Sequence, residues 1–419
     1  MSAKKKVVIV GGGFAGLQLA QNLDEDYFDV LLIDKQNHHQ FQPLFYQVAT
    51  SRLEPSSISF PFRKIFQKKH NVGVRLAEVL NIKPESNSIE TNIGEFAYDY
   101  LVIATGCQTN FFGNENLKKY ALPMKSTEEA IGLRNHILRN FELLFSASEA
   151  EKEALLNIVI VGAGPTGVEL AGSFAEMKQN ILPKDYPGLD FSKLNIIVLE
   201  GSPNTLNAMS DESKQTSRKY LVEMGVDVRT EVFVKEYDGN EVLLNTGETI
   251  KSKNVIWAAG VNGNVVPGLS ADIMVRGNRY TVDRFNKISG TANVYALGDI
   301  AYMQTPKYQN GHPQLANVAI NQGKTLARNL KALLNNKAQT EYEYLDLGSM
   351  ATIGKHKAVV DLPFLKFQGY IAWFVWMFLH LMLILSVRNR LIIFFNWAWS
   401  YVTKDTSLRL IFGEREAKL

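Results

Sequence analysis

Hydrophobic and polar positions divide the first part of the chain into short apolar runs and longer helical patterns that alternate, as is typical of parallel α/β folds. The run Val7–Val10 is continuously apolar, which predicts a strand that is buried on both faces. A glycine turn follows, then a helix from about Phe14 to Asp24, and Phe28–Asp34 predicts the next strand. This order is a βαβ unit, whose two strands run parallel.

The same pattern begins again at Asn157–Val161, followed by a glycine turn, a helix and the strand Leu194–Glu200. Because the repeat spans a whole domain, it predicts a duplicated domain and not a solenoid. The length of 419 residues agrees, since about 150 residues per domain gives two to three domains. Two further buried strands and a long helix beginning near Pro313 are predicted at Leu101–Ala104, Val294–Leu297 and Gln314–Leu333.

Composition removes several classes of protein. A single cysteine, Cys107, excludes a disulfide scaffold, a cysteine-rich zinc site, an iron–sulfur domain and a CxxC redox pair within this chain. No His or Cys has metal-ligand spacing, so no metal is expected. The balance of 45 basic to 42 acidic residues is too even to indicate a nucleic-acid binder. The start of the chain lacks the pattern of a secretory signal.

A glycine loop follows the first strand. Gly11, Gly13 and Gly16 fit the pattern GxGxxG and lead directly into the first helix. Such glycines let the backbone approach a pyrophosphate, and the helix N-terminus offers free N–H groups to that anion. Asp34 ends the next strand, where an acidic residue accepts hydrogen bonds from a ribose diol. Strand, loop, helix and acid together predict a dinucleotide site.

A second loop of the same kind is Gly162-Ala163-Gly164-Pro165-Thr166-Gly167. Its acid is Glu200, which lies farther along the chain than in a minimal unit, and we interpret Ile181–Lys193 as a loop inserted after the helix. The first cation after Glu200 is Lys214, so a 2′-phosphate would meet a carboxylate without a nearby cation. The second site should therefore prefer NADH over NADPH. Two such sites indicate electron transfer between tightly held FAD and exchanging NADH, although the glycines alone do not assign the two loops.

With these motifs in place, the sequence resembles the type II NADH:quinone oxidoreductases, single-chain respiratory NADH dehydrogenases that do not pump protons. They belong to the flavoproteins with two dinucleotide-binding domains. The loop Gly11–Gly16 resembles the FAD loop of the family, and His39–Thr50 resembles the segment that lies along the flavin. Two later FAD motifs are similar to Ala104–Gly106 and Ala296–Asp299. The match extends to the NADH domain and to the membrane segment, through Val161–Gly172, Trp257–Val261, Trp376, His380–Leu381, Asn389–Arg390 and Asn396–Trp397.

The resemblance implies tightly bound, non-covalent FAD, with NADH as substrate. Asp299 is expected to hold a ribityl hydroxyl, and the helix after Pro313 to direct its positive end at the flavin. The implied cofactor-binding residues are Gly11, Gly13, Phe14, Ala15, Gly16, Asp34, Lys35, Gln42, Pro43, Tyr46, Thr50, Val79, Ala104, Thr105, Gly106, Gly162, Gly164, Pro165, Thr166, Gly167, Glu200, Ala259, Gly260, Gly298, Asp299, Ala316 and Asn317.

Glu169 lies in the first turns of the second glycine-loop helix, whose N-terminus should already hold a pyrophosphate. Since two anions at one helix end would repel each other, we infer that Glu169 faces the flavin. The matching glutamate of the family is implicated in proton or charge coupling. This assigns Glu169 a catalytic role in the predicted reaction.

The family's quinone motif, roughly AQxAxQ, differs here. Asn317 and Asn321 replace both glutamines, yet at i and i+4 they share one helix face. The shorter amide either needs a bridging water or leaves the contact to Gln322. Lys357 resembles a basic residue that lies near the quinone tunnel.

The C-terminal tail differs in composition from the rest of the chain. Gly369–Val387 is apolar enough to predict a transmembrane helix by length alone, whereas Leu391–Val402 is too short. Arg388 and Arg390 lie between these stretches, and four of the five tryptophans fall in this region. Cations and aromatic anchors are also typical of a helix lying in the membrane interface. The residues leave both interpretations open; the resemblance favours two amphipathic helices in one leaflet, on the cytoplasmic side of the cell membrane, that help form a homodimer.

The predicted organisation is an α/β fold with two Rossmann-like domains. The FAD-binding domain comprises residues 1–115 and 285–335, the inserted NADH-binding domain residues 116–284, and the membrane-association region residues 336–419. The predicted function is hydride transfer from NADH to FAD and two-electron reduction of a membrane quinone. Two alternatives remain from the residues alone: a soluble-type NADH-dependent reductase of a small electron-carrier protein, and a low-turnover nucleotide-bound membrane sensor or scaffold.

Overall fold

The computed structural model describes residues 3–275, 277–406 and 408–411. The chain folds into two compact units. Unit 1 consists of Met1–Gln40, Phe60–Gln108 and Val261–Leu345. Unit 2 consists of Phe41–Ser59, Thr109–Gly260 and Asp346–Leu419.

The strands within the described residues, in chain order, are β1 Lys5–Val10, β2 Phe28–Asp34, β3 His38–Gln40, β4 Ser59–Pro61, β5 Val72–Leu76, β6 Val79–Lys83, β7 Ser88–Thr91, β8 Gly94–Ala97, β9 Tyr100–Ile103, β10 Cys107–Thr109, β11 Leu122–Pro123, β12 Asn157–Val161, β13 Asn195–Glu200, β14 Asp227–Thr230, β15 Val234–Tyr237, β16 Glu241–Leu244, β17 Thr249–Lys251, β18 Asn254–Trp257, β19 Val261–Gly263, β20 Met274–Val275, β21 Arg279–Val282, β22 Val294–Ala296, β23 Ala301–Met303, β24 Ser349–Gly354, β25 Lys357–Asp361 and β26 Lys366–Gln368.

The α-helices of the same residues are α1 Phe14–Asn22, α2 Phe45–Ala49, α3 Phe62–Ile65, α4 Glu115–Tyr120, α5 Thr127–Leu143, α6 Glu149–Leu156, α7 Pro165–Asn180, α8 Leu182–Asp185, α9 Asp211–Glu223, α10 Ala316–Leu334, α11 Tyr370–Leu383 and α12 Val387–Thr403.

Unit 1 is built on a parallel five-stranded sheet in the order β22-β9-β1-β2-β5. Val7–Val10 in β1 are all buried, as the continuous apolar run predicts. Residues of α1 and α10 belong to the same apolar core as this sheet. The carboxyl end of β1, where such folds bind their ligands, opens into the first glycine loop.

Unit 2 repeats this plan with a parallel sheet in the order β11-β18-β12-β13-β14. Every residue of β12 is buried, and the second glycine loop follows it. The end of the chain joins this unit through the antiparallel sheet β24-β25-β26, because β24 packs on α7. At this contact a Cβ on Gly172 would overlap the carbonyl oxygen of Ile353, so only glycine allows the close approach.

The two units divide the chain differently from the predicted domains. Residues 261–284 belong to unit 1, because β20 and β21 form a sheet with β23. Residues 41–59 belong to unit 2, where α2 packs on α5 and α7. Within the predicted region 336–419, Tyr342 and Tyr344 join the core of unit 1, whereas the described residues from Asp346 onward belong to unit 2.

The tail forms two helices whose bounds differ from the apolar stretches. In the sequence, Arg388 and Arg390 lie between the two apolar stretches. In the fold they do not separate the helices, because both lie in the first turns of α12. Arg390 donates from Nε to the carbonyl oxygen of Ile384 at 2.8 Å and from its guanidinium to that of Met382 at 3.0 Å. A cation at the carboxyl end of α11 satisfies carbonyls that the helix leaves unpaired. No helix of the described residues is long and apolar enough to cross a membrane.

Candidate functional site

The first glycine loop leaves room for a ligand only because its residues lack side chains. Gly11 has a φ of +103°, and a Cβ there would overlap the carbonyl oxygen of Ala104. A Cβ on Gly16 would overlap the carbonyl oxygen of Gly11. Gly13 caps the N-terminus of α1 and faces open space. This cradle at a helix N-terminus fits the pyrophosphate that the sequence predicts.

Asp34 is bonded to the backbone on both sides of its carboxylate. Oδ2 accepts the N–H of Gly12 at 2.6 Å, and Oδ1 accepts the N–H of Gln36 at 2.7 Å. Burial raises the pKa of Asp34, and these two N–H groups lower it in part. The acid thereby fixes the second residue of the loop and remains at the strand end, where a ribose diol would meet it.

The second loop has the same construction. Gly162 has a φ of +101°, and a Cβ there would lie 2.7 Å from the carbonyl oxygen of Ala258. A Cβ on Gly167 would overlap the carbonyl oxygen of Gly162. Gly164 caps α7 and faces open space, and Pro165 begins the helix, where its missing N–H costs nothing.

Glu200 repeats the hydrogen bonding of Asp34. Oε2 accepts the N–H of Ala163 at 2.6 Å, and Oε1 accepts the N–H of Ser202 at 2.7 Å. The long spacing arises because the inserted segment contains α8 and a 3-10 turn at Phe191–Lys193. Lys214 pairs with Asp211 at 2.9 Å. Glu200 therefore lies at the end of its strand in the same position, relative to the glycine loop, as Asp34 in the first site.

Unit 1 also brings together several predicted residues near Gly298. Gly298 has a φ of +70°, and a Cβ there would lie 3.3 Å from Ala319 and 3.4 Å from Ala15. Asp299 accepts a hydrogen bond from the Cys107 thiol at 2.9 Å. Thr105 donates from Oγ1 to the carbonyl oxygen of Asn264 at 2.6 Å. Lys35 instead forms an exposed pair with Glu78 at 2.6 Å, and Val79 begins β6.

The amides at the start of α10 differ in what they contact. Gln322 is buried, and its Oε1 accepts the N–H of Gly298 at 2.7 Å, so its role as a substitute quinone-binding amide stays a prediction. Asn317 and Asn321 share one face, as predicted, and Asn321 Nδ2 donates to Asn317 Oδ1 at 2.8 Å. α10 begins at Ala316, two residues later than expected, with Leu315 as its N-cap.

A cavity of about 290 Å³ lies within unit 2. It is lined by one face of α7, by α2, by the end of β24 and by both C-terminal helices. Glu169, Ser173, Glu176 and Asn180 follow one another at helical spacing along α7. The other lining residues include Tyr46, Gln47, Arg52, Met224, Thr352, Lys355, Lys357, Trp373, Trp376, Trp397, Ser400, Tyr401 and Lys404.

Glu169 is the buried carboxyl group of this cavity. Its Oε1 lies 3.4 Å from the N–H of Thr352. Burial raises the pKa of Glu169 well above its ordinary value, and Thr352 and Trp376 lower it only in part. A raised pKa favours the protonated carboxyl group, which is the form that can give a proton to a ligand.

Arg52 and Glu176 are charged residues of the cavity that the sequence analysis did not identify. The Arg52 guanidinium donates to the Glu176 carboxylate, which also accepts the backbone N–H of Lys355. The available signal was periodicity, because Glu176 lies seven positions after Glu169 and hence on the same helix face. Its partner Arg52, which lies just after α2, could not be read from local sequence.

The remaining predicted residues have local roles. Lys357 pairs with Glu223 at 2.5 Å and lies 4.6 Å from the ring centre of Tyr220, and it also lines the cavity. Gly260, next to Ala259, has a φ of +109° and accepts the N–H of Asn110 at 3.2 Å. Gln42 and Pro43 form a 3-10 turn before α2, and Thr50 caps that helix.

Comparison with known proteins identifies both parts of the chain. Residues 5–323 match the family Pyridine nucleotide-disulphide oxidoreductase, and residues 347–404 match the NDH2 C-terminal domain. The Type II NADH:quinone oxidoreductase Ndh of Mycobacterium tuberculosis is 33% identical over 420 residues, covering 96% of this chain and 89% of that protein. The Type II NADH:quinone oxidoreductase of Staphylococcus haemolyticus is 30% identical, with coverage of 85% and 89%.

Solved structures show the same fold. NDH2 from Plasmodium falciparum in complex with NADH has a TM-score of 0.88 at 22% identity and covers 98% of this chain and 100% of its own. The sulfide:quinone oxidoreductase of Aquifex aeolicus has a TM-score of 0.73 at 20% identity, with 92% of each chain covered. From the family match over nearly the whole chain, the protein belongs to the type II NADH:quinone oxidoreductases, flavoproteins that pass electrons from NADH through FAD to a quinone without pumping protons.

Proposed function

We propose that the loop Gly11–Gly16 with Asp34 holds FAD, and that the loop Gly162–Gly167 with Glu200 binds NADH. The equal hydrogen bonding of the two acids supports two dinucleotide sites, and the resemblance of the N-terminal loop to the family's FAD motif supports this assignment. Bound FAD supplies the two-electron chemistry that accepts a hydride. The chain positions both nucleotides and supplies the electrostatics around them.

The cavity of unit 2 is the proposed site of the quinone. The observation that carries this assignment is a chamber with several aromatic side chains in its wall and a buried carboxyl group, Glu169, whose pKa burial raises. Its size suits a quinone ring, since ligand pockets begin at about 300 Å³. Trp376 and Tyr46 offer flat apolar surfaces to that ring. The helices α11 and α12, which form one wall, also carry the exposed apolar surface of the tail.

Glu169 supplies one of the two protons that quinone reduction consumes, and solvent water supplies the other. Reduction of a quinone to a hydroquinone takes two electrons and two protons, so a proton donor close to the acceptor oxygen is required. The buried carboxyl group of Glu169, whose raised pKa favours its protonated form, satisfies this need. On the family resemblance, Asn317 and Asn321 are also proposed as quinone-binding amides, and Lys357 as the basic residue of the quinone site.

The tail is proposed to bind a lipid surface without crossing it. Large apolar side chains of α11 and α12 are exposed, among them Ile371, Phe378, Val387 and Phe395 at 61–69%. Exposed apolar side chains in this number are typical of an interfacial helix. Location on the cytoplasmic side and assembly into a homodimer rest on the family resemblance. Flotation with anionic phosphatidylglycerol vesicles should weaken in a Phe378→Glu/Phe395→Glu variant and persist in Glu241→Gln; equal flotation of both would contradict the lipid contact.

The quinone assignment can be tested by filling the cavity. Ser400 lines it from α12, and replacing it with tryptophan should place an indole in the proposed quinone space. We expect Ser400→Trp to slow quinone reduction at least tenfold while NADH still reduces the flavin normally. Ser400→Ala is the matched control and should behave as the parent protein. Normal quinone kinetics in a folded, FAD-containing Ser400→Trp variant would show that the quinone binds elsewhere.

A further inference from the structure

Tyr46 is fixed in the cavity by a chain of two hydrogen bonds that begins on α12. Trp397 Nε1 donates to Gln47 Oε1 at 2.8 Å, and Gln47 Nε2 donates to the Tyr46 hydroxyl oxygen at 2.8 Å. All three residues line the cavity. Tyr46 is 3% exposed and Gln47 is 4% exposed, so water does not compete strongly for these contacts.

The direction of this chain follows from the chemistry of its first member. An indole N–H can only donate, so the amide atom of Gln47 that it meets must be the oxygen. The amide nitrogen then faces Tyr46, whose oxygen is obliged to accept. The hydroxyl proton of Tyr46 must therefore point away from Gln47. Among the described residues, none accepts a hydrogen bond from that hydroxyl group.

A buried hydroxyl proton without an acceptor points to a ligand that accepts hydrogen bonds. An oxidised quinone offers only acceptors, its two carbonyl oxygens. We infer that Tyr46 donates a hydrogen bond to a quinone carbonyl oxygen, and that Trp397, acting through Gln47, fixes the direction of this donor. The inference rests on the proposed location of the quinone, and it gives Tyr46 a different partner from the cofactor that the family resemblance implies.

The arrangement also links the tail to the reaction. Asn389 Nδ2 donates to the carbonyl oxygens of Ser56 at 3.1 Å and Ser57 at 2.8 Å, so α12 is bonded to the segment of Tyr46 at a second point. As electrons reach the quinone, its oxygen becomes more negative, and a donor already aimed at it gains strength. Trp397 and Gln47 are thus positioning residues, and Tyr46 is the residue that touches the substrate.

Four variants of the FAD-containing enzyme test this inference. Tyr46→Phe removes the donor and should lower kcat/KM for menadione roughly tenfold, the usual effect of one lost hydrogen bond. Trp397→Phe frees the amide to rotate and should lower it by a smaller factor. Gln47→Glu, which accepts from both neighbours, should draw the Tyr46 proton to itself and resemble Tyr46→Phe. The double variant Tyr46→Phe/Trp397→Phe should be no worse than Tyr46→Phe, because both changes remove the same contact.

The controls separate this chain from general effects of mutation. Trp399→Phe changes an exposed indole on the same helix, and Tyr237→Phe changes a buried tyrosine away from the cavity; both should leave menadione kinetics unchanged. Flavin reduction by NADH should be unaffected in every variant. Unchanged menadione kinetics in Tyr46→Phe, or losses that multiply in the double variant, would overturn the inference. If Ser400→Trp blocks the quinone while Tyr46→Phe does not impair it, only the inference fails and the cavity assignment stands.

Discussion

Glu200→Gln is the substitution that most sharply tests the assignment of the two nucleotide sites. The carboxylate accepts two backbone N–H groups, from Ala163 at 2.6 Å and Ser202 at 2.7 Å. The glutamine amide keeps one acceptor oxygen, but its NH₂ group must face the other N–H. The variant therefore loses one charge-assisted hydrogen bond and weakens the contact with the ribose diol.

The size of the effect follows from the strength of such bonds. A hydrogen bond to a charged group contributes about 1.5–3 kcal/mol, which corresponds to roughly 10- to 100-fold in affinity. We expect the KM for NADH to rise by about that factor, with kcat changed less than threefold, because the lost contact binds ground state and transition state alike. The preference for NADH over NADPH should narrow, since the carboxylate no longer repels a 2′-phosphate.

The assay compares this variant with Asp34→Asn, the same change in the first loop. Steady-state kinetics with NADH and NADPH, together with FAD content per chain, are measured for both. Glu200→Gln should retain full FAD content, whereas Asp34→Asn should lose FAD during purification. Glu241→Gln, an exposed change in unit 2, serves as control. An unaltered KM for NADH in Glu200→Gln would refute the reasoning, and loss of FAD from that variant would reverse the assignment of the loops.

Three further predictions concern the cavity and its walls. Burial raises the pKa of Glu169 in the folded state above the value of about 4.3 in the unfolded chain, so the free energy of unfolding should fall as the pH rises from about 4.3 to the folded-state pKa. Thermal melts of Glu169→Gln should lack this fall, and the same pH dependence of Tm in variant and parent would contradict the prediction. Gly172→Ala should lower stability by about 1–3 kcal/mol in denaturant unfolding, because its methyl group would overlap the Ile353 carbonyl oxygen; an unchanged midpoint would argue against this close contact. Arg52→Met should lower the free energy of unfolding by about 3 kcal/mol, because Glu176 loses its cationic partner, and Arg52→Met/Glu176→Gln should recover part of this loss; no recovery would exclude the ion pair as the cause.

Local sequence patterns were sufficient for the nucleotide sites. β2 and β12 begin and end where the apolar runs predict. The glycines of the two loops either lie where a side chain would overlap the backbone or face open space that a ligand can occupy. These features are encoded within a few residues of one another. Glu200 was predicted despite the insertion, because the ribose-binding acid is recognised by its place at the end of the second strand and not by its distance in sequence from the glycine loop.

Features that depend on distant residues were not predictable. Arg52 meets Glu176 across 124 positions, and no local pattern records that contact. Gln322 is one of the amides of α10, but its side chain accepts the N–H of Gly298, a contact between residues 24 positions apart that no local pattern indicates. Arg390 lies between the two apolar stretches of the sequence, but in the fold it belongs to α12 and donates to the carbonyl oxygen of Ile384 at the end of α11.

The central claim is that this chain carries electrons from NADH to a quinone through a bound flavin. Anaerobic stopped-flow absorbance of the purified FAD-containing protein tests it most directly. Addition of NADH should bleach the flavin rapidly, and subsequent addition of menadione should restore the oxidised spectrum with matching two-electron stoichiometry. A flavin that NADH bleaches but that menadione fails to recolour would contradict the account.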